Sequence, residues 1–249
     1  MKNVILVGDS WPAGELRDWS GDDDVLHRGV GQYFTDNNYN VINLCNPGGS
    51  NLQSVKKLSD FLLSNDVNKD TCILFWTTEF FREIWHYTNH NNKSFDVSLK
   101  DEFAMGYIEL KNQWVYRPYY RLQELAAKYS INIGIIGGCS DAVMYDDFNL
   151  DFPNLNVLCQ SVTNLIINNS HQIQDPVFCE YIADWVDPFL NEIKANSSDL
   201  DLSELLTDIE KGQQRLSQFK ENKEWFYPDG HHPNRTAHKK LFDFIFEKI

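Results

Sequence analysis

Short apolar runs, each leading into a polar turn and then a helix-spaced stretch, recur through roughly the first 140 residues and leave few folds open. The runs are Asn3–Val7, Tyr39–Leu44, Thr71–Trp76 and Ile131–Gly137, with Asn156–Cys159 as a fifth candidate. Between them lie helical stretches over Gly29–Asn37, Leu52–Leu63 and Leu99–Tyr129, the last with a break expected near Pro118. In the second stretch Leu52, Val55, Leu58 and Leu62 share one face. Trp11–Asp24 reads as a polar loop, and Thr236–Ile249 as a closing amphipathic helix. Strand and helix in alternation predict a mostly parallel sheet covered by helices on both faces. Ligands of such sheets bind beyond the carboxyl ends of the strands.

The 249 residues fit one domain with a sizeable insertion, expected at about 138–225 as an irregular, mostly helical segment. A net charge of −14, with no basic cluster beyond the pairs Lys56-Lys57 and Lys239-Lys240, argues against a nucleic-acid partner. No run approaches the ~18 apolar residues of a membrane span. The apolar run at the start ends in Gly8-Asp9, too short for a signal peptide, so a cytoplasmic location is expected. Five cysteines, widely spaced and without a CxxC, predict reduced thiols rather than disulfides or a zinc site. No metal or other cofactor is expected: His86 and His90 have helical spacing but no further ligands placed with them, and Asp22-Asp23-Asp24 reads as a solvated turn.

Chemistry concentrates at two places. Gly8-Asp9-Ser10-Trp11 follows the first strand, and Asp229-Gly230-His231-His232-Pro233-Asn234 precedes the last helix. A serine hydroxyl is a weak nucleophile that needs a base in hydrogen-bond reach, and the base needs an acid to hold its tautomer. Ser10, His232 and Asp229 supply those three types, with acid and base on one short loop stiffened by Pro233. His231 competes with His232 for the base role. Trp11 reads as either a pocket or a core residue.

The pair of motifs resembles the SGNH/GDSL hydrolase superfamily, with its Gly-Asp-Ser nucleophile block near the amino terminus and its Asp-x-x-His block near the carboxyl terminus. The resemblance implies a three-layer α/β/α, flavodoxin-like fold and a carboxylic ester hydrolase with Ser10, Asp229 and His232 as triad. It implies an oxyanion hole from the amides of Ser10 and of a glycine in Pro47-Gly48-Gly49-Ser50-Asn51, where Gly48 aligns best. The chain departs from the family after the third strand. Gly-x-Asn-Asp is replaced by Trp76-Thr77-Thr78-Glu79, which leaves Thr78 or Asn51 as candidates for the third donor. Arg82, just beyond, either holds an anionic substrate group or pairs with Glu79 or Glu83.

The substrate implied is a small-molecule or glycan ester. High aromatic and acidic content points to an O-acylated carbohydrate or another small polar ester rather than a long lipid. A catalytically weakened binding protein on the same fold is the alternative, with the missing asparagine as its clue. A nucleotide-binding use of Pro47-Gly48-Gly49-Ser50 lacks both phosphate-loop spacings.

Overall fold

The computed structural model describes residues 2–16, 25–67, 70–80, 82–83, 106–142, 148–178, 187, 190–191, 201–227 and 232–249. Among these, β1 (Asn3–Val7), β4 (Asn40–Asn43), β5 (Cys72–Trp76), β6 (Ile133–Ile136) and β7 (Leu155–Cys159) form one sheet in the order β4-β1-β5-β6-β7. Every pairing in it is parallel. The short strands β2 (Glu15–Leu16) and β3 (Val25–His27) form a separate antiparallel pair.

The central strands read as continuous apolar runs because both faces are covered. Period-two alternation sends Val4 and Leu6 to one core and Ile5 and Val7 to the other, and β5 divides the same way: Leu74 and Trp76 against Ile73 and Phe75. The first core is closed by α2 (Gly29–Asp36), α6 (Val162–Asn168) and α8 (Arg235–Phe246), with Phe34, Ile166, Leu241 and Ile245 buried. The second is closed by α3 (Asn51–Ser64) and α4 (Tyr107–Tyr129), through Val55, Leu58, Leu62, Leu122 and Ala126. The expected three layers, helix on sheet on helix, are therefore present.

Two expectations change. The loop foreseen from Trp11 begins as a buried helical turn, α1 (Ser10–Ala13), because Asp9 caps it by accepting from the Trp11 amide at 2.9 Å. Trp11 belongs to the core and packs on Phe219 and Phe226, with ring centroids 5.7 and 6.4 Å away. The break foreseen at Pro118 is absent: α4 runs through that buried proline. Of the stretch from 138 to 225, β7 joins the main sheet. α5 (Phe148–Asp151) and α7 (Ser203–Glu221) bring Phe148 and Phe219 into the two cores. No helix among the described residues is long and apolar enough to cross a membrane.

The order of the strands fixes where a site can form. The chain leaves β1 for β4 on one side, then crosses to β5 on the other, so the reversal point lies at the carboxyl ends of β1 and β5. A crevice opens at such a switch point, and Ser10 and Thr78 follow those two strands directly.

Candidate active site

Ser10 opens α1 and is only 5% exposed. The turn before it requires Gly8. At φ +154° its backbone passes so close to Pro12 and Trp76 that a Cβ would lie 2.9 Å from a side-chain carbon of each. The tight turn swings the serine over the end of β1 instead of letting it continue along the strand.

His232 reaches it from the other end of the chain, with Nε2 3.0 Å from Ser10 Oγ across 222 residues of sequence. The histidine's backbone is fixed on both sides. Its carbonyl accepts from the Tyr227 amide at 2.9 Å, and Phe226 bridges Pro233 in antiparallel fashion. Asn234 donates its amide to the Trp225 carbonyl at 2.8 Å and caps α8 through Thr236 and Ala237. The ring is thus presented from backbone that is hydrogen-bonded around it, the arrangement a general base needs to keep its geometry. Asp229 and His231 lie outside the described residues, as do His86, His90 and Asp22-Asp23-Asp24.

Gly48 lies in the turn between β4 and α3, at φ +72°, a left-handed conformation that favours glycine. Among the described residues, no atom beyond its chain neighbours lies within 4 Å of where a Cβ would stand. This turn is tied to the nucleophile's turn: the Asn46 amide donates to the Gly8 carbonyl at 2.8 Å, and Ser54 Oγ to the same oxygen at 3.3 Å. Ser50 caps α3 in a reciprocal box with Gln53.

Thr78 and Asn51 are engaged with their neighbours. The Thr78 hydroxyl donates to Asp9 Oδ2 at 2.8 Å and lies 3.2 Å from Glu79 Oε2. The Asn51 carboxamide pairs head to tail with the Thr78 backbone: Nδ2 donates to its carbonyl at 2.8 Å, and Oδ1 accepts from its amide at 2.9 Å. Both side chains therefore bind the three strand-end turns to one another.

Beneath the serine lies a buried charge cluster. Asp9 is fully buried and its Oδ2 also receives Arg82 Nη1 at 3.1 Å and the Cys139 thiol at 3.4 Å. Arg82, itself buried, pairs with Glu79 as well as with Asp9. Of its two expected roles, the ion pair is the one observed. Burial raises the Glu79 pKa, while Arg82 pulls it down and Asp9 adds to the rise. The Asp9 network was not foreseen. Only the spacing of Glu79 and Arg82, three apart, hinted at it.

No protein-family model matches the sequence, and neither does any curated protein. Three solved structures are similar in outline. A psychrotrophic esterase, EstA, from Pseudoalteromonas sp., determined in a form inhibited by monoethylphosphonate, is 10% identical with a TM-score of 0.40, covering 99% of this chain and 96% of that one. A member of the lipolytic protein G-D-S-L family from Veillonella parvula is 12% identical with a TM-score of 0.40, covering 98% and 96%. LAE5, an alpha/beta hydrolase enzyme from the metagenome of Lake Arreo, is 11% identical with a TM-score of 0.38, covering 99% and 94%. At these identities the reading of the site rests on its own geometry.

Proposed function

We propose that the chain is a serine-dependent ester hydrolase of the SGNH type, built as one domain. The observation that carries this reading is the 3.0 Å contact between Ser10 Oγ and His232 Nε2. Ser10 Oγ attacks the acyl carbonyl as His232 Nε2 takes its proton. The tetrahedral intermediate collapses, and the imidazolium returns that proton to the departing alcohol, leaving an acyl-serine. A water, deprotonated by the same nitrogen, then releases the acid and restores the hydroxyl. Asp229 is assigned the orienting role on His232.

The oxyanion is assigned to the backbone amides of Ser10 and Gly48. Gly48 lies in a turn bonded to that of the nucleophile, through the Asn46 amide and the Gly8 carbonyl. Thr78 and Asn51 hold the turns in register. The substrate is assigned as a small-molecule or glycan ester with a small polar body, met in the cytoplasm without nucleic acid or membrane.

One observation favours a second reading, a binding protein of weakened activity. The Thr78 hydroxyl and the Asn51 carboxamide already bond within the protein. Losing one oxyanion donor costs roughly 10²–10³-fold in turnover. A fluorophosphonate label separates the two readings, because it reacts only with an activated serine. Covalent labelling that Ser10→Ala abolishes supports the enzyme, and an unlabelled wild-type chain supports the binding protein.

A further inference from the structure

Glu83 has no place in the reaction as proposed, yet its carboxylate is 4% exposed and sits at the first turn of α3. Its Oε1 accepts from the Leu52 amide at 2.6 Å. The Asn51 amide and the Ser50 hydroxyl beside it also favour the charged carboxylate. These three residues follow Gly48-Gly49 directly, and Asn51 in turn grips the Thr78 backbone. A short bond from a backbone amide suits the charged form of this buried carboxylate, and a helix amino terminus adds to the attraction.

We propose that Glu83 is a positioning residue: its carboxylate anchors the Leu52 amide at the start of α3, which fixes the Gly48 turn beside Ser10, and its protonation loosens that turn. The inference rests on the ester-hydrolase reading and extends it to the control of the oxyanion site. A neutral carboxyl can still accept at one oxygen, but its other oxygen carries a hydrogen that meets a donor where an acceptor is needed. Burial raises the Glu83 pKa to about 7, against the lowering pull of the Leu52 amide, the Ser50 hydroxyl and then the Arg117 guanidinium of α4. Among the described residues, Arg117 is the charge facing it from α4, and the first turn of α3 offers only uncharged donors. The carboxylate therefore changes charge near neutral pH.

The test is the acid limb of kcat/KM for p-nitrophenyl acetate. Protonation of Glu83 should add a roughly 10-fold loss of its own, so log kcat/KM of the wild type should fall more steeply than a slope of one over about one pH unit below pH 7. Glu83→Gln places an amide NH2 against one of the donors and mimics the neutral acid. Its limb should fall with a slope of one, and kcat on the plateau should drop roughly 10-fold with KM little changed. Glu83→Asp, which keeps the charge on a shorter arm, should recover part of the steep limb. A wild-type slope of one, or a Glu83→Gln limb as steep as the wild type's, overturns the proposal.

Hydrogen–deuterium exchange gives a readout that does not need turnover. At pH 8, a peptide spanning residues 46–54 should exchange several-fold faster in Glu83→Gln than in the wild type, and the two should converge at pH 5.5. Equal exchange at pH 8 removes the tie itself. Slow wild-type exchange in a chain that hydrolyses no ester overturns the esterase reading and keeps the anchoring role.

Discussion

Arg215 holds Asp141 with both guanidinium nitrogens, Nη1 to Oδ1 at 2.9 Å and Nη2 to Oδ2 at 2.8 Å, across 74 residues of sequence. Both side chains are buried, and Asp141 Oδ2 also accepts from the Val177 amide at 2.9 Å. The pair fastens α7 to the segment leaving β6, on the same side of the sheet as the serine. Removing one partner strands a buried charge, which costs about 3–5 kcal/mol. Arg215→Ala or Asp141→Ala should lower the unfolding free energy in urea by that amount. The double variant Arg215→Met/Asp141→Leu should recover most of it. Equal losses in the single and double variants would show that packing rather than charge is what the singles remove.

Ser10→Ala should abolish ester turnover by roughly 10⁴-fold or more, because members of a catalytic unit fail together. Its melting temperature should stay near that of the wild type, since the hydroxyl contributes one contact at the edge of the core. Turnover of p-nitrophenyl acetate near the wild-type rate would move the nucleophile elsewhere.

His232→Ala should be nearly as damaging as Ser10→Ala, and His231→Ala mild. Reversal of the two histidine variants would transfer the base role to His231 and leave the Ser10–His232 contact without a catalytic meaning.

Thr78→Val removes a hydroxyl from a buried carboxylate that keeps Trp11, Arg82 and Cys139 as donors. It should cost about 1–3 kcal/mol of stability and leave kcat within a few-fold. Asn51→Ala should behave likewise, with a larger drop in melting temperature because two bonds to Thr78 go at once. A loss of roughly 10²-fold in kcat at unchanged KM in either variant would place that side chain in the oxyanion hole.

His238, on the inner face of α8, is buried, and neither ring nitrogen has a partner among the described residues. Burial pushes its pKa down to about 3, with His27 and His232 adding to the fall. The unfolded chain takes up a proton near pH 6.5 and the folded one does not, so stability is complete above 6.5 and is lost as pH falls toward 3. The loss amounts to at most about 4–5 kcal/mol. Glu83 works against it, since a raised carboxyl pKa favours the folded state in acid and loses that advantage as pH rises from 4.5 to about 7. His238→Leu should flatten the fall in urea midpoint between pH 6.5 and 4. An unchanged slope would assign acid sensitivity to other groups.

The sheet was legible because its central strands β1 and β5 are buried on both faces, which leaves unbroken apolar runs in the sequence. α4 shows where local reading stops. A proline's tendency to end a helix gave way to the burial of Tyr119, Leu122 and Ala126 on the far side of it. Ser10 and His232 stood out because each sits in a compact, ordered motif. The directions of Thr78 and Asn51 did not, being set by Asp9, 69 residues away, and by a contact across 27. The partners of Glu83, Asp141 and Arg215 are distant in sequence: Leu52 for the first, 31 residues away, and each other across 74 residues for the last two. Only the folded chain shows what they face.

The serine and histidine that meet at 3.0 Å are separated by nearly the whole chain. With Ser10 as the proposed nucleophile, a ribosome that has made the sheet through β7 has made a protein with an inert hydroxyl, since His232 has yet to emerge. On the proposed reading, reactivity arrives only when α8 docks and closes the first core. Completion of folding and arming of the nucleophile are then one event, and a chain cut short anywhere before that point is harmless to the esters around it.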